Sequence, residues 1–217
     1  MDNNKELVLE FRKATASDNL EEIAELIYYT DQYIYPYWFE NIEKCKKELP
    51  LLMVQENFFF NVNNLYIAID IENNKKIIGV ICILDKSVDL TYNYEELRKI
   101  NDRYCFTIDN YVMGLIDEVK NSDFAYISNV CVSPLYRGKH VGIRLMNYVI
   151  DVYVDKYFKE IALDVLAQNP GAIKLYENLG FEQISELFKG FSDPKIDKPD
   201  VFSMKLSLEK YSDKNNN

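Results

Sequence analysis

The chain has 217 residues, 48% of them hydrophobic, enough to bury a core as one domain or one domain with an insertion, and too many for wholesale disorder. Lys and Arg number 25 against 35 Asp and Glu, a formal charge of −10. Such a surface repels phosphates and argues against a nucleic-acid binder. It suits cationic small molecules or basic peptides and, more simply, solubility.

The opening Met1-Asp2-Asn3-Asn4-Lys5 carries no apolar signal region. The most apolar stretch, 49–60, is broken by Gln55, Glu56 and Asn57 and is too short to span a bilayer. No membrane partner and a cytoplasmic location are therefore expected. Cys45, Cys82, Cys105 and Cys131 are scattered without a C-x-x-C pair, which fits a reducing compartment and gives no metal site.

Residues Leu7 to Lys13 alternate apolar and polar, as an edge strand does. Ser17 is a candidate N-cap for the helix pattern Leu20, Ile23, Ala24, Ile27. An aromatic cluster follows, from Tyr28 to Phe39; a helix is predicted over Trp38 to Leu49 and another after Pro50. Leu65 to Ile71 and Lys76 to Leu84 read as a hairpin, because the asparagines between them tolerate left-handed backbone. The polar, acidic stretch 85–123 reads as a helical insertion, with helices near Tyr94 to Asn101 and Phe106 to Lys120. A strand (Phe124 to Val132), a helix (Gly142 to Val154), a strand (Ile161 to Leu166), a helix (Gly171 to Asn178) and a strand (Val201 to Leu208) follow. The tail 209–217 is polar and expected to fray. The pattern is one mixed α/β domain over 1–208 with a central sheet.

Two segments carry chemistry. Val130 to Gly142 reads V-C-V-S-P-L-Y-R-G-K-H-V-G: an apolar strand, a proline that stops the ladder, a basic loop, then a helix. Unpaired N–H groups at a helix start bind phosphate, helped by the helix dipole. Gly138 and Gly142 allow close approach, and Arg137 and Lys139 add positive charge. The loop is neither G-x-x-x-x-G-K-[ST] nor G-x-G-x-x-G, and alone it also reads as an ordinary strand-to-helix turn. The second segment is N-P-G-A-I-K-L-Y-E-N-L-G-F, Asn169 to Phe181. His140 is the only histidine and no G-x-S-x-G elbow exists, so a Ser-His-Asp triad is disfavoured.

The pair of segments resembles the GNAT superfamily of N-acetyltransferases. Its main motif, V-x-P-x-x-[RQ]-x-x-G-x-[GA], is met by Val132, Pro134, Arg137 and Gly142, with His140 where a glycine usually stands. Its second motif is met by Asn169, Ala172, Leu175, Tyr176, Gly180 and Phe181. The order of elements agrees outside 85–123 and the tail. The resemblance implies a mixed, mostly antiparallel central sheet flanked by helices, with the helical insertion before the fourth strand.

It further implies acetyl-coenzyme A, held by Val130, Cys131, Val132, Arg137, Gly138, Lys139, His140, Val141, Gly142, Ile143, Asn169, Ala172 and Tyr176. The Val130 N–H, where its strand splays from a neighbour, would stabilise the oxyanion, and Val132 would pair with the pantetheine amide. Tyr176 would be the general acid for the thiolate, and Asn169 would hydrogen-bond the pantetheine arm; on residues alone, Tyr176 reads equally as a packed tyrosine.

Many relatives carry a glutamate base eleven residues before the arginine; here that residue is Tyr126. The base is left open among Tyr126, Glu118, Asp123 and a water chain held by Tyr126, Ser128 and Asn129. The acceptor side is expected from Tyr33, Tyr35, Trp38, Ser128 and Asn129, where aromatics beside carboxylates suit a cation. The implied reaction is acetyl transfer to a primary amine of a small molecule or peptide. An N-terminal α-amine acetyltransferase and a non-catalytic coenzyme A-binding domain are the alternatives, and a homodimer is left open.

Overall fold

Strand β1 (Leu9–Lys13) is the edge its alternation predicts, pairing on one side with β2 (Leu65–Asp70). The computed structural model describes residues 7–56, 58–88, 94–103, 119, 123–156, 158–189 and 200–215. Between β1 and β2 lie α1 (Leu20–Tyr28), α2 (Ile34–Phe39) and α3 (Ile42–Met53). The hairpin partner β3 (Lys76–Leu84) follows, then α4 (Tyr94–Ile100), β4 (Phe124–Val132), α5 (Val141–Asp155), β5 (Glu160–Leu166) and α6 (Pro170–Leu179). Short β6 (Glu182–Gln183) and β7 (Phe188–Lys189), then β8 (Asp200–Ser207) and α7 (Leu208–Asn215), complete the order.

The sheet runs β1-β2-β3-β4-β5-β8-β6, with β7 also on β8. Every pairing is antiparallel except β4 with β5. The expected mixed, mostly antiparallel sheet flanked by helices is the observed one.

Both faces of the central strands are covered, so β2 and β3 are near-continuous apolar runs. One face carries Leu65, Ile67, Val80 and Cys82 against α1, α2 and α3 through Ile23, Ile27, Phe39, Leu49 and Leu52. The other carries Ala68, Ile81, Ile127, Leu163 and Met204 against Leu145, Met146, Val149 and Ile150 of α5. Gly79 lets α5 settle on the sheet: a Cβ there would lie 3.3 Å from both Ala68 Cβ and Leu145 Cδ2. Among the described residues no helix is long and apolar enough to cross a membrane.

Four expectations are corrected. The N-cap of α1 is Asn19, whose side chain accepts from the Glu22 N–H, while the Ser17 hydroxyl is engaged with Thr15. The helix predicted from Trp38 is two helices: Glu40, at φ 64°, ends α2, and Asn41 caps α3 by accepting from Lys44 N–H. Pro50 lies inside α3 instead of starting a new helix, in the last turn where its missing N–H forfeits a single ladder bond. Residues 208–215 are the helix α7 and not a frayed tail. Leu208 is buried, and the Tyr211 hydroxyl reaches Asp151 of α5 at 3.2 Å. The two-residue strands β6 and β7 are too short to leave a periodic signal.

In the insertion, α4 forms as expected. Leu97 is buried, and Asn101 donates to Trp38 O (3.0 Å) and Glu48 Oε2 (2.8 Å), tying the segment to α2 and α3. The second expected helix, near 106–120, lies outside the described residues.

Candidate active site

Strands β4 and β5 pair only from Phe124↔Glu160 to Ile127↔Leu163. Beyond that point Asn129 to Val132 keep their β3 partners, and Asp164 to Leu166 keep theirs on β8. A bulge accompanies the split: Cys82 faces Asn129 and Ile83 faces Ile127, so Ser128 is the extra residue. A bulge bends its strand and shifts the alternation. Here it sends Asn129 toward α1 and α2 and leaves Val130 at the gap.

The gap is a cavity of about 180 Å³, walled by Tyr35 and Trp38 on one side and by Tyr126, Val130, Asp164 and Tyr176 on the others. Thr30, Val130, Asn169, Ala172 and Tyr176 also line a wider cleft that runs over the loop after β4.

That loop is built to be open. Pro134–Tyr136 form a 3₁₀ turn, and Gly138 (φ 75°) and His140 (φ 60°) are left-handed. The first intrahelical bond of α5 is made by Arg144 N–H to His140 O, at 3.2 Å, so Val141, Gly142 and Ile143 precede the ladder. Helices α1, α3 and α6 are capped by asparagine side chains, whereas His140 makes no side-chain cap. The start of α5 thus turns its N–H groups and dipole to the cleft, a donor set that fits a pyrophosphate. The turn is pinned from behind: the Tyr136 hydroxyl donates to buried Asp70 (2.8 Å) and accepts from Asn73 Nδ2 (2.8 Å).

The departure at His140 has a cost. Left-handed backbone costs a non-glycine residue about 1–2 kcal/mol, and glycine's larger unfolded-state entropy returns roughly 0.5–1 kcal/mol of that. His140→Gly is therefore expected to raise the midpoint of a thermal melt by about 1–4 °C; a fall would show that the imidazole makes a contact that matters.

Most expected cofactor residues line the cleft, with differences in how. Cys131 can offer only its backbone, because its side chain is buried in the core beneath α1–α3, where desolvation pushes the thiol up to about 11. Arg137 Nε donates to Val132 O at 3.4 Å, and Lys139 lies 5.0 Å above the Tyr136 ring and does not line the cleft. Asn169 spends its side-chain oxygen capping α6 at Ala172 N–H (3.1 Å), so its amide nitrogen is the group left to face a ligand. Tyr29, Lys174 and Asn178 also line the cleft. The signal for the last two was the spacing of four on α6.

Tyr176 sits where cavity and cleft meet, buried on α6 with its ring 5.8 Å from that of Phe181. Burial raises its pKa well above that of a free phenol, so it holds its proton throughout the neutral range.

On the acceptor side, Tyr35 and Trp38 line the cavity edge-to-face at 5.3 Å, and Tyr33 does not line it. Ser128 and Asn129 reach it too, but their polar groups are largely committed. Asn129 Nδ2 donates to Thr30 Oγ1 (2.7 Å) and the Tyr35 hydroxyl (2.8 Å), and its Oδ1 accepts from Ser128 Oγ (2.8 Å). The amide ties β4 to the α1–α2 turn. Desolvation raises the Tyr35 pKa well above its ordinary value. The cavity wall includes the carboxylates Asp31 and Asp164 and, among the described residues, no Lys, Arg or His.

The acidic base candidates fare differently. Asp123 is at the far end of β4, outside the cavity, paired with Lys159 (3.0 Å) and Lys86 (3.3 Å), which lower its pKa. Glu118 lies outside the described residues. Tyr126 is buried in the cavity wall, and its hydroxyl donates to Asp164 Oδ2 at 3.0 Å. Asp164 was missed by sequence reading; its only trace there is an acid inside an otherwise apolar run, Ile161 to Leu166.

Residues 27–181 match the model of the acetyltransferase (GNAT) family, more than half of the chain. Over 93 residues the chain is 29% identical to N-alpha-acetyltransferase 30 of Dictyostelium discoideum, covering 41% of this chain and 49% of that one. Over 61 residues it is 34% identical to thialysine N-epsilon-acetyltransferase of Bos taurus, covering 28% and 36%. The chain thus spans half or less of the length of these curated relatives. The crystal structure of the NatC complex bound to Gag peptide and CoA contains a chain that superposes with a TM-score of 0.57 at 18% identity, over 92% of this chain and 98% of that one. At that identity the likeness speaks for the fold alone.

Proposed function

Because the chain belongs to the acetyltransferase (GNAT) family, we propose that it transfers an acetyl group from acetyl-coenzyme A to a primary amine by direct attack. The observation that carries this is the splay after Ile127↔Leu163, which joins an unpaired strand edge at Val130–Val132 to the uncapped start of α5.

Acetyl-coenzyme A supplies the activated thioester. Val130 and Val132 would hold its pantetheine arm as an added strand, and the backbone of 137–143 would hold the pyrophosphate with Asn169 and Ala172 opposite. The Val130 N–H steadies the negative charge that builds on the reacting carbonyl oxygen. Tyr176 gives the departing sulfur its proton. The acceptor reaches the carbonyl from the Tyr35–Trp38 side, where Asp31 and Asp164 favour a positively charged amine over an anionic one.

Both a side-chain or small-molecule amine and a peptide α-amine fit this description. The likenesses to a thialysine N-epsilon-acetyltransferase and to an N-alpha-acetyltransferase keep both in view. Thiol release from acetyl-coenzyme A, measured against lysine analogues, polyamines and peptides with free N-termini, separates them. Turnover with one class assigns the acceptor; tight coenzyme A binding without turnover on any amine would establish the non-catalytic reading. Cationic amines are expected to react at least tenfold faster than anionic amines of equal size.

A further inference from the structure

We propose that Asp164 is the general base that takes the proton from the acceptor ammonium, filling the role that Tyr126 leaves vacant on β4; the inference rests on the acetyltransferase reading. Three observations support it. Asp164 lies on β5 one residue beyond the last β4–β5 pair, so it stands at the split where the strand edge of Val130 opens. Its carboxylate is held from both sides: the Tyr126 hydroxyl donates to Oδ2 (3.0 Å) and the Ser203 hydroxyl to Oδ1 (2.6 Å). Asp123 is paired with lysines at the other end of β4, and Asp31 spends Oδ1 on the N–H groups of Tyr33 (2.8 Å) and Ile34 (3.0 Å) at the start of α2.

The geometry explains why a tyrosine can occupy the strand position otherwise taken by an acid. A free phenol is a poor proton acceptor near neutrality. Tyr126 acts instead as a positioning residue, donating to the carboxylate across the strand gap and fixing its orientation. Two hydroxyl donors leave a carboxylate with acceptor capacity to spare, and that capacity faces the cavity.

The proton count closes. Asp164 takes one proton from the ammonium and passes it to solvent. The amine nitrogen then forms the C–N bond to the thioester carbonyl carbon and the C–S bond breaks. Tyr176 gives its proton to the sulfur, and the second proton leaving nitrogen restores the phenol through the solvent of the cleft. Nitrogen loses two protons; one is found on the thiol and one in solution.

Among the described residues, the titratable and charged groups around Asp164 are few. Tyr126 faces it from β4, Tyr176 borders the cavity from α6, and Asp31 lies in the wall from the α1–α2 turn. On β5 and β8 the Glu160–Lys205 ion pair (2.9 Å) lies one Ala162 step further along the same face.

The test is Asp164→Asn, assayed for acceptor kcat/KM from pH 6.5 to 9.5 with a strongly basic amine and with a weakly basic one that is already neutral at pH 7. Coenzyme A binding by calorimetry is measured alongside. The expected result is a loss of about 10²-fold or more at pH 7 with the basic amine, and unchanged coenzyme A affinity. The rate of the variant climbs roughly tenfold per pH unit as free amine accumulates. With the weakly basic amine the defect shrinks at least about tenfold. A loss equal at every pH and for both amines would mean a structural role, and a loss under about threefold would mean none; either overturns the inference while the acetyltransferase reading stands. A wild-type protein that releases thiol with no amine overturns both. Should Asp164→Asn not bind coenzyme A, Tyr126→Phe serves: it keeps the carboxylate and is expected to lower kcat roughly tenfold through misorientation, and no change in kcat overturns the inference.

Discussion

Tyr176→Phe is expected to lower kcat by about 10²–10³-fold while changing the dissociation constant of coenzyme A by less than about threefold. The Tyr176 ring stays on α6, packed 5.8 Å from that of Phe181 just beyond the helix, so the wall between cavity and cleft keeps its shape. Only the hydroxyl is lost, and with it the proton that the proposed mechanism gives to the departing sulfur. Burial raises the pKa of this phenol. A raised pKa on an acid favours its protonated form, so the donor is loaded at every pH below that value. The variant should therefore be impaired about equally from pH 6 to 9. A rate within about threefold of wild type would remove Tyr176 from the chemistry and return it to the role of a packed residue. Stopped-flow measurement of thiol release gives kcat, and calorimetry gives the affinity.

Asn129→Ala is expected to be strongly destabilising. Asn129 is buried and bonded to Ser128, Thr30 and Tyr35 at 2.7–2.8 Å. Removing the amide breaks these bonds and leaves the Thr30 and Tyr35 hydroxyls short of a partner in a poorly solvated place. A net hydrogen bond is worth about 0.5–1.5 kcal/mol, and a stranded buried group costs more, so a loss of about 2–4 kcal/mol follows. For a chain of this size that is a fall of roughly 4–16 °C in the thermal midpoint, read by circular dichroism. The α1–α2 turn would loosen with it, and the acceptor KM should rise. A midpoint within about 2 °C of wild type would mean that water replaces the amide in the network.

Much of the site was legible because its signals are local. The proposed phosphate loop depends on a proline, glycines and a helix start that are contiguous in sequence, and α6 announces itself by the Asn169 cap and the Gly180 stop. His140 was visible as a departure, and its left-handed backbone confirms that the position favours glycine. The errors were of other kinds. Asp123 is near Tyr126 along the chain, yet three residues of extended strand carry it about 10 Å away, to the lysine-paired end of β4. Asp164 lies 38 residues from Tyr126 and touches it across a parallel pairing; no periodicity in either strand reports that contact. Asn129 lines the cavity as expected, and no local pattern reports that its amide also ties β4 to the helices.

The sequence by itself determined the family and the order of the main strands and helices, and it marked the loop proposed to face a pyrophosphate, since each rests on local spacings. Tertiary structure alone decided where β4 and β5 part, that a bulge at Ser128 turns Asn129 to the face opposite Ile127, and which carboxylate stands at the opening. Those outcomes depend on register between strands distant in sequence, where a shift of one residue exchanges the two faces of the sheet.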